Sequence, residues 1–130
     1  MIHSVLNIAK ILIVEDSPTV NHLMKRVLQK GGYQVSTAAN GRDGWMKVLQ
    51  ERPHCIILDV ILPDINGFAL CRQLRTIDPN HMLSIILVST KNTPLDQKWG
   101  LRQGADYYLF KPFSDEMLVQ AVESVLSKSS

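Results

Sequence analysis

The sequence predicts an α/β fold, a doubly wound, five-stranded parallel sheet with five helices over its two faces. Two observations support this fold class. Five short runs rich in β-branched and aromatic residues alternate with helical patterns along all 130 residues. The runs are apolar almost throughout, as expected of parallel strands that are buried on both faces. Because crossovers between parallel strands are right-handed, few topologies remain possible for such a chain.

The first strand and the first helix have clear boundary signals. The strand is the run Lys10–Val14, which stops at two acidic residues. Ser17 is suited to cap the helix that follows, and Pro18 fits its first position. The helix is expected to stop at the glycine pair Gly31-Gly32. Its predicted apolar face comprises Val20, Leu23, Val27 and Leu28.

The second helix is predicted between the second and third strands in sequence. The second strand is predicted at Tyr33–Ala38, and Asn40–Asp43 resembles a capping box at the start of the helix. The predicted core stripe of this helix comprises Trp45, Val48 and Leu49. The third strand, Cys55–Leu58, is uniformly apolar and stops at Asp59, before a turn-rich segment that runs to Gly67.

The remaining elements continue the alternation. The fourth strand is predicted at Ser84–Val88, and Thr93-Pro94 repeats the capping signal before the fourth helix. Trp99 could be an exposed anchor for a partner on the fourth helix, but it follows Leu95 by one helical turn, and we expect it to pack inward. The fifth strand is predicted at Asp106–Phe110. The last helix begins with Ser114-Asp115-Glu116, and its apolar period comprises Met117, Leu118, Ala121, Val122, Val125 and Leu126.

The composition limits the class of protein. With 130 residues, 45% of them hydrophobic and 20% charged, we expect a single domain, with residues 1–9 as an N-terminal extension and residues 127–130 as a frayed tail. A net charge of +2 does not indicate nucleic-acid binding. No apolar run approaches the ~20 residues of a membrane span, and the N-terminus does not resemble a signal peptide. Cys55 and Cys71 are interpreted as free thiols of a cytoplasmic protein.

Ionisable residues follow three of the strands, and they define the predicted site. Glu15 and Asp16 follow the first strand, Asp59 the third and Lys111 the fifth. In an open parallel sheet the ligand crevice lies outside the carboxyl ends of the strands, so these side chains should meet there. Mg²⁺ would relieve repulsion between the acids and, with Lys111, bring the formal charge to about zero. Such a site suits phosphoryl transfer, with Asp59 as the nucleophile and the Ser89 hydroxyl within reach.

Other carboxylates and the histidines are expected to be ordinary surface groups. Asp64, Asp78 and Asp96 are interpreted as solvated, as most lone acids are. The four histidines have no ligand-like spacing and are placed at the surface or in loops.

Four segments of the chain resemble the response-regulator receiver domain. They are Lys10–Asp16, Leu58–Gly67, Leu87–Thr90 and Phe110–Phe113, which occur in the right order and span nearly the whole sequence. The resemblance implies a CheY-like, flavodoxin-like sheet with the strand order 2-1-3-4-5. It also implies a two-component phosphorelay protein that receives a phosphoryl group from a histidine kinase and is not a classical enzyme.

The resemblance assigns roles at the acidic site. Asp59 would be phosphorylated. Asp16, Asp59 and the backbone carbonyl of Ile61 would bind Mg²⁺, or Mn²⁺ as a substitute, and Glu15 would act mainly through a metal-bound water. Lys111 would pair with the phosphoryl group.

The resemblance also identifies a switch. Ser89 and Tyr108 match the switch hydroxyl and the switch aromatic, which would move inward together on phosphorylation. Tyr107 should point to the opposite face of the sheet, because side chains alternate along a strand. The Lys111–Pro112 peptide bond would be cis, a structural role for Pro112.

A narrower likeness lies in Ser89–Thr93 and Lys98–Ala105. These segments are similar to the stand-alone receivers of type IV pilus twitching and phototaxis systems, the PilH-type relatives of CheY. This likeness implies a sensor histidine kinase of CheA type and a downstream motility protein as partners. Output would pass through the face of the fourth helix, fifth strand and fifth helix. We expect a monomer or weak dimer without an output domain.

Other functions receive less support from the residues. An FMN-binding flavodoxin would need a phosphate-cradling loop where Glu15 and Asp16 stand, and these acids would repel phosphate without a metal. No GxGxxG or Walker A sequence is present, and an aspartate-based phosphatase would need an acid two residues after Asp59. An unphosphorylated scaffold and a phosphate sink remain as alternatives.

Overall fold

The computed structural model describes residues 8–128. Residues 1–7 of the predicted extension and residues 129–130 of the predicted tail lie outside the described range. Ser127 and Lys128, which were also assigned to the tail, belong to the last helix.

Five parallel strands form one sheet in the order β2-β1-β3-β4-β5, which confirms the predicted topology. The strands are β1 (Lys10–Val14), β2 (Gln34–Ala38), β3 (Cys55–Asp59), β4 (Ser84–Ser89) and β5 (Tyr107–Phe110). Each predicted strand boundary is correct to within one residue. Asp59 and Ser89 are the last residues of their strands because their backbones still pair, Asp59 with Val88 and Ser89 with Phe110.

Five helices cover the two faces of the sheet. They are α1 (Pro18–Lys30), α2 (Gly41–Glu51), α3 (Gly67–Ile77), α4 (Pro94–Arg102) and α5 (Asp115–Lys128). Polar side chains accept a backbone N–H at the start of each helix, and these residues are Ser17, Asn40, Asn66, Thr93 and Ser114. The capping signals in the sequence therefore located the starts of α1, α2, α4 and α5 correctly, whereas the cap of α3, Asn66, was not identified from the sequence.

Side chains of the strands alternate between two hydrophobic cores. Leu12 of β1 faces the core beneath α2 and α3, whereas Ile11 faces the core beneath α1 and α5. The same alternation places Tyr108 in the first core and packs Tyr107 against the second, which confirms that the two tyrosines point to opposite faces. Cys55 and Cys71 are buried free thiols, and burial raises the pKa of Cys71 to about 12. Among residues 8–128, no helix has the length and apolar character required to cross a membrane.

The predicted inner faces of α1, α2 and α5 are partly wrong, because Leu23, Leu49 and Met117 are exposed. In α1 the buried positions are Asn21, Met24 and Leu28. The amide of Asn21 donates to the carbonyls of Glu15 and Ala38. A polar residue therefore lies on the buried face of α1, where the apolar pattern predicts a hydrophobic side chain. In α2 the buried face is formed by Gly41, Gly44 and Val48.

The predicted inward packing of Trp99 is also wrong, and the side chain is exposed, as in the alternative interpretation. Leu95 is 76% exposed and Trp99 is 49% exposed. The buried residue of α4 is Gly100, which lies against Tyr108 and Leu87. Because the helix contacts the sheet through this glycine, the large side chains of the preceding turn project into solvent.

The three carboxylates interpreted as solvated groups are exposed (Asp64) or partly exposed (Asp78 and Asp96), but each also has a structural partner. Asp64 accepts two backbone N–H groups at the start of α2, and these hydrogen bonds hold its pKa below the usual value. Asp96 forms a capping box with Thr93 at the start of α4. Asp78 pairs with Arg75 at 3.0 Å. Each carboxylate therefore fixes a helix terminus or a loop.

Candidate functional site

The carboxyl ends of the strands bring the predicted site residues together. Glu15 and Asp16 follow β1, Asp59 ends β3, Ser89 ends β4 and Lys111 follows β5. The strand register makes the ends level, because Val14 pairs with Leu58 at the ends of β1 and β3. The side chains of four elements thus converge at one edge of the sheet, as the sequence predicts.

The three acids form a compact cluster. One carboxylate oxygen from each of Glu15, Asp16 and Asp59 lies within 4.8 Å of the others. Glu15 is 2% exposed and Asp59 is 6% exposed, whereas Asp16 lies on the solvent side. Burial raises the pKa of Glu15, and proximity to Asp59 acts in the same direction. A set of hard oxygen donors with one open side fits a small divalent cation that keeps several waters.

Lys111 supplies positive charge at the floor of the cluster. Its Nζ donates to Glu15 Oε1 at 2.6 Å and to Asp59 Oδ2 at 2.7 Å. Burial lowers the pKa of Lys111, but the two carboxylates outweigh this effect and raise the pKa above its ordinary value. Lys111 is therefore a fixed cation. The Lys111–Pro112 peptide bond that follows is cis, as the resemblance implies.

Backbone N–H groups orient the remaining carboxylate oxygens. The Ser17 N–H donates to Glu15 Oε2 at 3.0 Å, and the Ile61 N–H donates to Asp59 Oδ1 at 2.9 Å. Each buried carboxylate is thus held between Lys111 and one amide. The backbone of Ile61 lies beside Asp59, while the metal-binding role of its carbonyl and the water-mediated role of Glu15 stay predictions.

The loop after Asp59 is tightly folded against the site. The Gly67 N–H donates to the Val60 carbonyl at 2.7 Å, and Ile61 forms an isolated bridge with Asn66. A Cβ at position 67 would lie 2.3 Å from the Asp59 carbonyl oxygen, so only glycine fits there. This close approach fixes the backbone that carries the Asp59 carboxylate.

Asn21 belongs to the site, although sequence reasoning missed it. Its buried amide donates to the Glu15 carbonyl at 2.9 Å and to the Ala38 carbonyl at 3.2 Å. These bonds tie the β1–α1 connection to the end of β2. A polar residue within the apolar pattern of α1 was the signal that could have identified it.

Ser89 and Tyr108 lie next to each other behind the acids. The buried Ser89 Oγ accepts the Lys91 N–H at 3.0 Å, and the Tyr108 hydroxyl donates to the Lys91 carbonyl at 2.8 Å. Burial raises the pKa of Tyr108, and a hydrogen bond with the Ser89 side chain partly offsets this. The Tyr108 ring is buried and meets Phe110 edge-on, with ring centroids 5.4 Å apart. The structure therefore places Tyr108 inward, and the movement expected on phosphorylation stays a prediction.

Ile61 and Lys91 border a shallow pocket beside the site. The pocket has a volume of about 460 Å³ and is also lined by Asp64 and Asn66. Both Ile61 and Lys91 are exposed. Together they present an apolar branch and a cation where solvent approaches the loop after Asp59.

Comparisons with known proteins agree with this geometry. The family model described as the response regulator receiver domain matches residues 11–123. The PilH protein of Pseudomonas aeruginosa is 41% identical over 119 residues, an alignment that covers 92% of this chain and 98% of PilH.

A longer relative and a solved structure give the same result. The alkaline phosphatase synthesis transcriptional regulatory protein PhoP of Bacillus subtilis is 37% identical over 120 residues, covering 92% of this chain. The chain spans about half of that protein, 49% of its length. The chemotaxis protein CheY4 of Vibrio cholerae superposes with a TM-score of 0.85 at 33% identity, covering 91% of this chain and 98% of CheY4.

Proposed function

The chain belongs to the response regulator receiver domain family, and on that premise we propose that Asp59 receives a phosphoryl group from the phosphohistidine of a sensor kinase. Receiver domains are signalling proteins, not classical enzymes. The observation that carries the proposal is the Asp59 carboxylate, which lies at the end of a buried strand among two further acids and Lys111.

The proposed transfer is a displacement at phosphorus. A carboxylate oxygen of Asp59 attacks phosphorus and forms a new O–P bond, while the P–N bond to the kinase histidine breaks. The electron pair of that bond returns to the imidazole nitrogen, which then takes a proton from solvent. The Ile61 N–H orients the carboxylate. Lys111 Nζ lies 2.7 Å from Asp59 Oδ2, where its charge would neutralise the incoming phosphoryl oxygens.

We propose Mg²⁺ as the cofactor, with Mn²⁺ as a substitute. Asp16, Asp59 and the Ile61 carbonyl would hold the cation, and Glu15 would act mainly through a bound water. When bound, the cation supplies the positive charge that lets an anionic group approach the acids. The clustered carboxylate oxygens and the solvent-facing Asp16 support this assignment.

Signal output is proposed to pass from Ser89 through Tyr108 to the face of α4, β5 and α5. A phosphoryl oxygen on Asp59 would attract the Ser89 hydroxyl by a charge-assisted hydrogen bond. The shared contact of Ser89 and Tyr108 with Lys91 supports coupling between them. Such coupling is a shift between two packings, worth about 1–3 kcal/mol.

We further propose a role in motility. The similarity to PilH, which extends over 98% of that protein, supports a role of the PilH type. We propose a CheA-type kinase and a downstream motility protein as partners, in the cytoplasm, with the receiver a monomer or weak dimer.

The test is labelling with acetyl phosphate followed by intact mass measurement. With Mg²⁺ the wild type should gain one phosphate and Asp59→Asn none. Asp115→Asn, which changes an exposed acid at the start of α5, is the matched control and should label as the wild type does. Full labelling of Asp59→Asn, or equal labelling in EDTA, would contradict the assignment.

A second measurement separates a signalling receiver from a phosphate sink. The beryllofluoride adduct should show its largest NMR shifts, away from the site itself, between about Thr90 and Phe113, because Ser89 directly precedes that segment and Tyr108 lies within it. Shifts confined to the loop after Asp59 would favour the sink.

A further inference from the structure

Helix α4 is held on the sheet at a single point within the described chain. Residues 90–99 are exposed apart from the half-buried Asp96, and Gly100 is the buried residue of the helix. Among the strands, α4 packs mainly against β5. Its attachment therefore depends on what Gly100 touches.

Gly100 touches the ring of Tyr108. A Cβ at position 100 would lie 2.7 Å from Tyr108 Cδ2, 2.9 Å from Cε2 and 3.1 Å from Leu87 Cδ1. These separations are well below the ~3.5–4.0 Å of an ordinary carbon contact. Phe110 stands against the same ring, and the Lys91 carbonyl holds its hydroxyl, so the ring cannot move aside and keep its contacts.

Helix propensity does not explain a glycine at this position. Glycine is the poorest helix former after proline, and alanine is the best. The steric need of the Tyr108 ring does explain it. We propose that Gly100 is the positioning residue that admits Tyr108 to its inward position and thereby determines how α4 lies on the sheet.

Inward Tyr108 contacts two separate parts of the α4 region. Its ring lies against Gly100 near the end of the helix, and its hydroxyl binds the Lys91 carbonyl in the loop before it. One side chain thus pins both the β4–α4 loop and the helix. If the ring leaves, both attachments are lost together.

The residues that follow α4 are anchored independently of Tyr108. Arg72 Nη1 donates to Gln103 Oε1 at 3.0 Å, and Arg75 Nε donates to the Gly104 carbonyl at 2.8 Å. Loss of the Tyr108 contacts should therefore free Lys91–Trp99 and leave Gln103 and Gly104 in place. Helix α4 is therefore anchored at its C-terminal end and is held on the sheet by its contact with Tyr108.

The first experiment tests the contact between Gly100 and the Tyr108 ring in the protein without any phosphoryl group. In Gly100→Ala, NMR contacts between the Tyr108 ring and residue 100 should be lost, and amide exchange should accelerate in residues 91–99 but not at Gln103 or Gly104. Gly31→Ala is the matched control, since a Cβ there meets its nearest atom, the Leu28 carbonyl oxygen, at 3.3 Å. An unmoved Tyr108 ring in Gly100→Ala would overturn the proposal.

A double-mutant cycle separates the steric effect of Gly100→Ala on the Tyr108 ring from a general loss of stability. Gly100→Ala should lower Tm in the wild-type background, because the methyl group displaces the ring. In the Tyr108→Leu background the same change should raise Tm, because alanine favours the helix and the ring is gone. The same sign in both backgrounds would overturn the steric explanation.

The link to signalling rests on the proposed function and is tested separately. If inward Tyr108 is coupled to the occupied Asp59 site, Gly100→Ala should weaken beryllofluoride binding by at least about fivefold, and Gly31→Ala should not. Equal affinities would overturn the coupling. Failure of wild-type Asp59 to label would instead contradict the proposed function, and the Tyr108 measurements would still decide the role of Gly100.

Discussion

Replacing Lys111 by methionine should destabilise the protein by about 3–5 kcal/mol in a buffer without divalent cations. Lys111 is the cation that lies within 2.7 Å of both Glu15 and Asp59, and both carboxylates are almost fully buried. Methionine matches the length of the side chain and removes its charge. Two adjacent buried acids would remain, each without its charged hydrogen-bond partner.

The magnitude follows from the two bonds. A hydrogen bond to a charged group contributes about 1.5–3 kcal/mol, so two give about 3–6 kcal/mol. Protonation of Glu15, whose pKa is already raised by burial, would relieve part of the loss and favours the lower end, about 3 kcal/mol. That is a large part of the ~5–15 kcal/mol that stabilises a typical domain.

Urea unfolding in EDTA measures the effect. With a slope of about 2 kcal/mol per molar, the midpoint of Lys111→Met should fall by about 1.5 M. Mg²⁺ should restore much of the loss, because it supplies the missing positive charge. Lys98→Met, on the exposed surface of α4, is the control and should change stability by less than about 0.5 kcal/mol. If both variants behave alike in EDTA, Lys111 is not the cation on which the acids depend.

Three further predictions concern other side chains of the site and the fold. The aspartyl phosphate should persist for minutes, and Ile61→Asn with Lys91→Glu should shorten its lifetime about tenfold, ~1.4 kcal/mol, because polar groups in their shared pocket can align water; equal decay by intact mass would refute this. The folded-state pKa of Glu15 is raised from 4.5, so its stabilising contribution is present below that pH and lost as pH rises through the folded value. Without Mg²⁺, urea midpoints from about pH 4 to pH 7 should therefore fall less for Glu15→Gln than for the wild type, and parallel curves would count against it. Arg75→Met should cost about 3 kcal/mol in urea unfolding, because the change removes the bonds of Arg75 to Asp78, Asp106 and the Gly104 carbonyl, each worth roughly 1 kcal/mol; a loss below about 1 kcal/mol would show that these bonds are dispensable.

The sheet and its acidic crevice were predictable because both depend on patterns that are local in sequence. A run such as Cys55–Leu58 is apolar throughout, and in the structure it is buried throughout. Parallel pairing then makes the strand ends coincide, so Asp59 and Glu15 meet although 44 residues separate them in sequence. The arrangement of the acids required no knowledge of individual contacts.

The buried faces of the helices were less predictable than the sheet. The spacing of apolar residues does not show which backbone carbonyls need a hydrogen-bond donor, or where a helix lies so close to the sheet that only glycine fits. Asn21 faces inward to satisfy two carbonyls, and Leu23 is exposed as a result. Gly100 faces inward because the helix rests on an aromatic ring, so Trp99 is exposed. In both helices the decisive partner lies on the strand that follows, Ala38 in β2 and Tyr108 in β5, and no pattern within the helix encodes it.

The charge balance of the site suggests why the switch acts through one loop. Phosphorylation replaces a carboxylate by a group carrying about −1.5 to −2 charges, so the site gains up to about one negative charge that Lys111 already shares between two acids. The Ser89 hydroxyl, at the end of the strand next to Asp59, is a donor that can turn to meet it. Turning disturbs the hydrogen bond that the Ser89 hydroxyl accepts from the Lys91 N–H. Because the Lys91 carbonyl also holds Tyr108, we expect the added charge to be felt first in the β4–α4 loop and only then along α4.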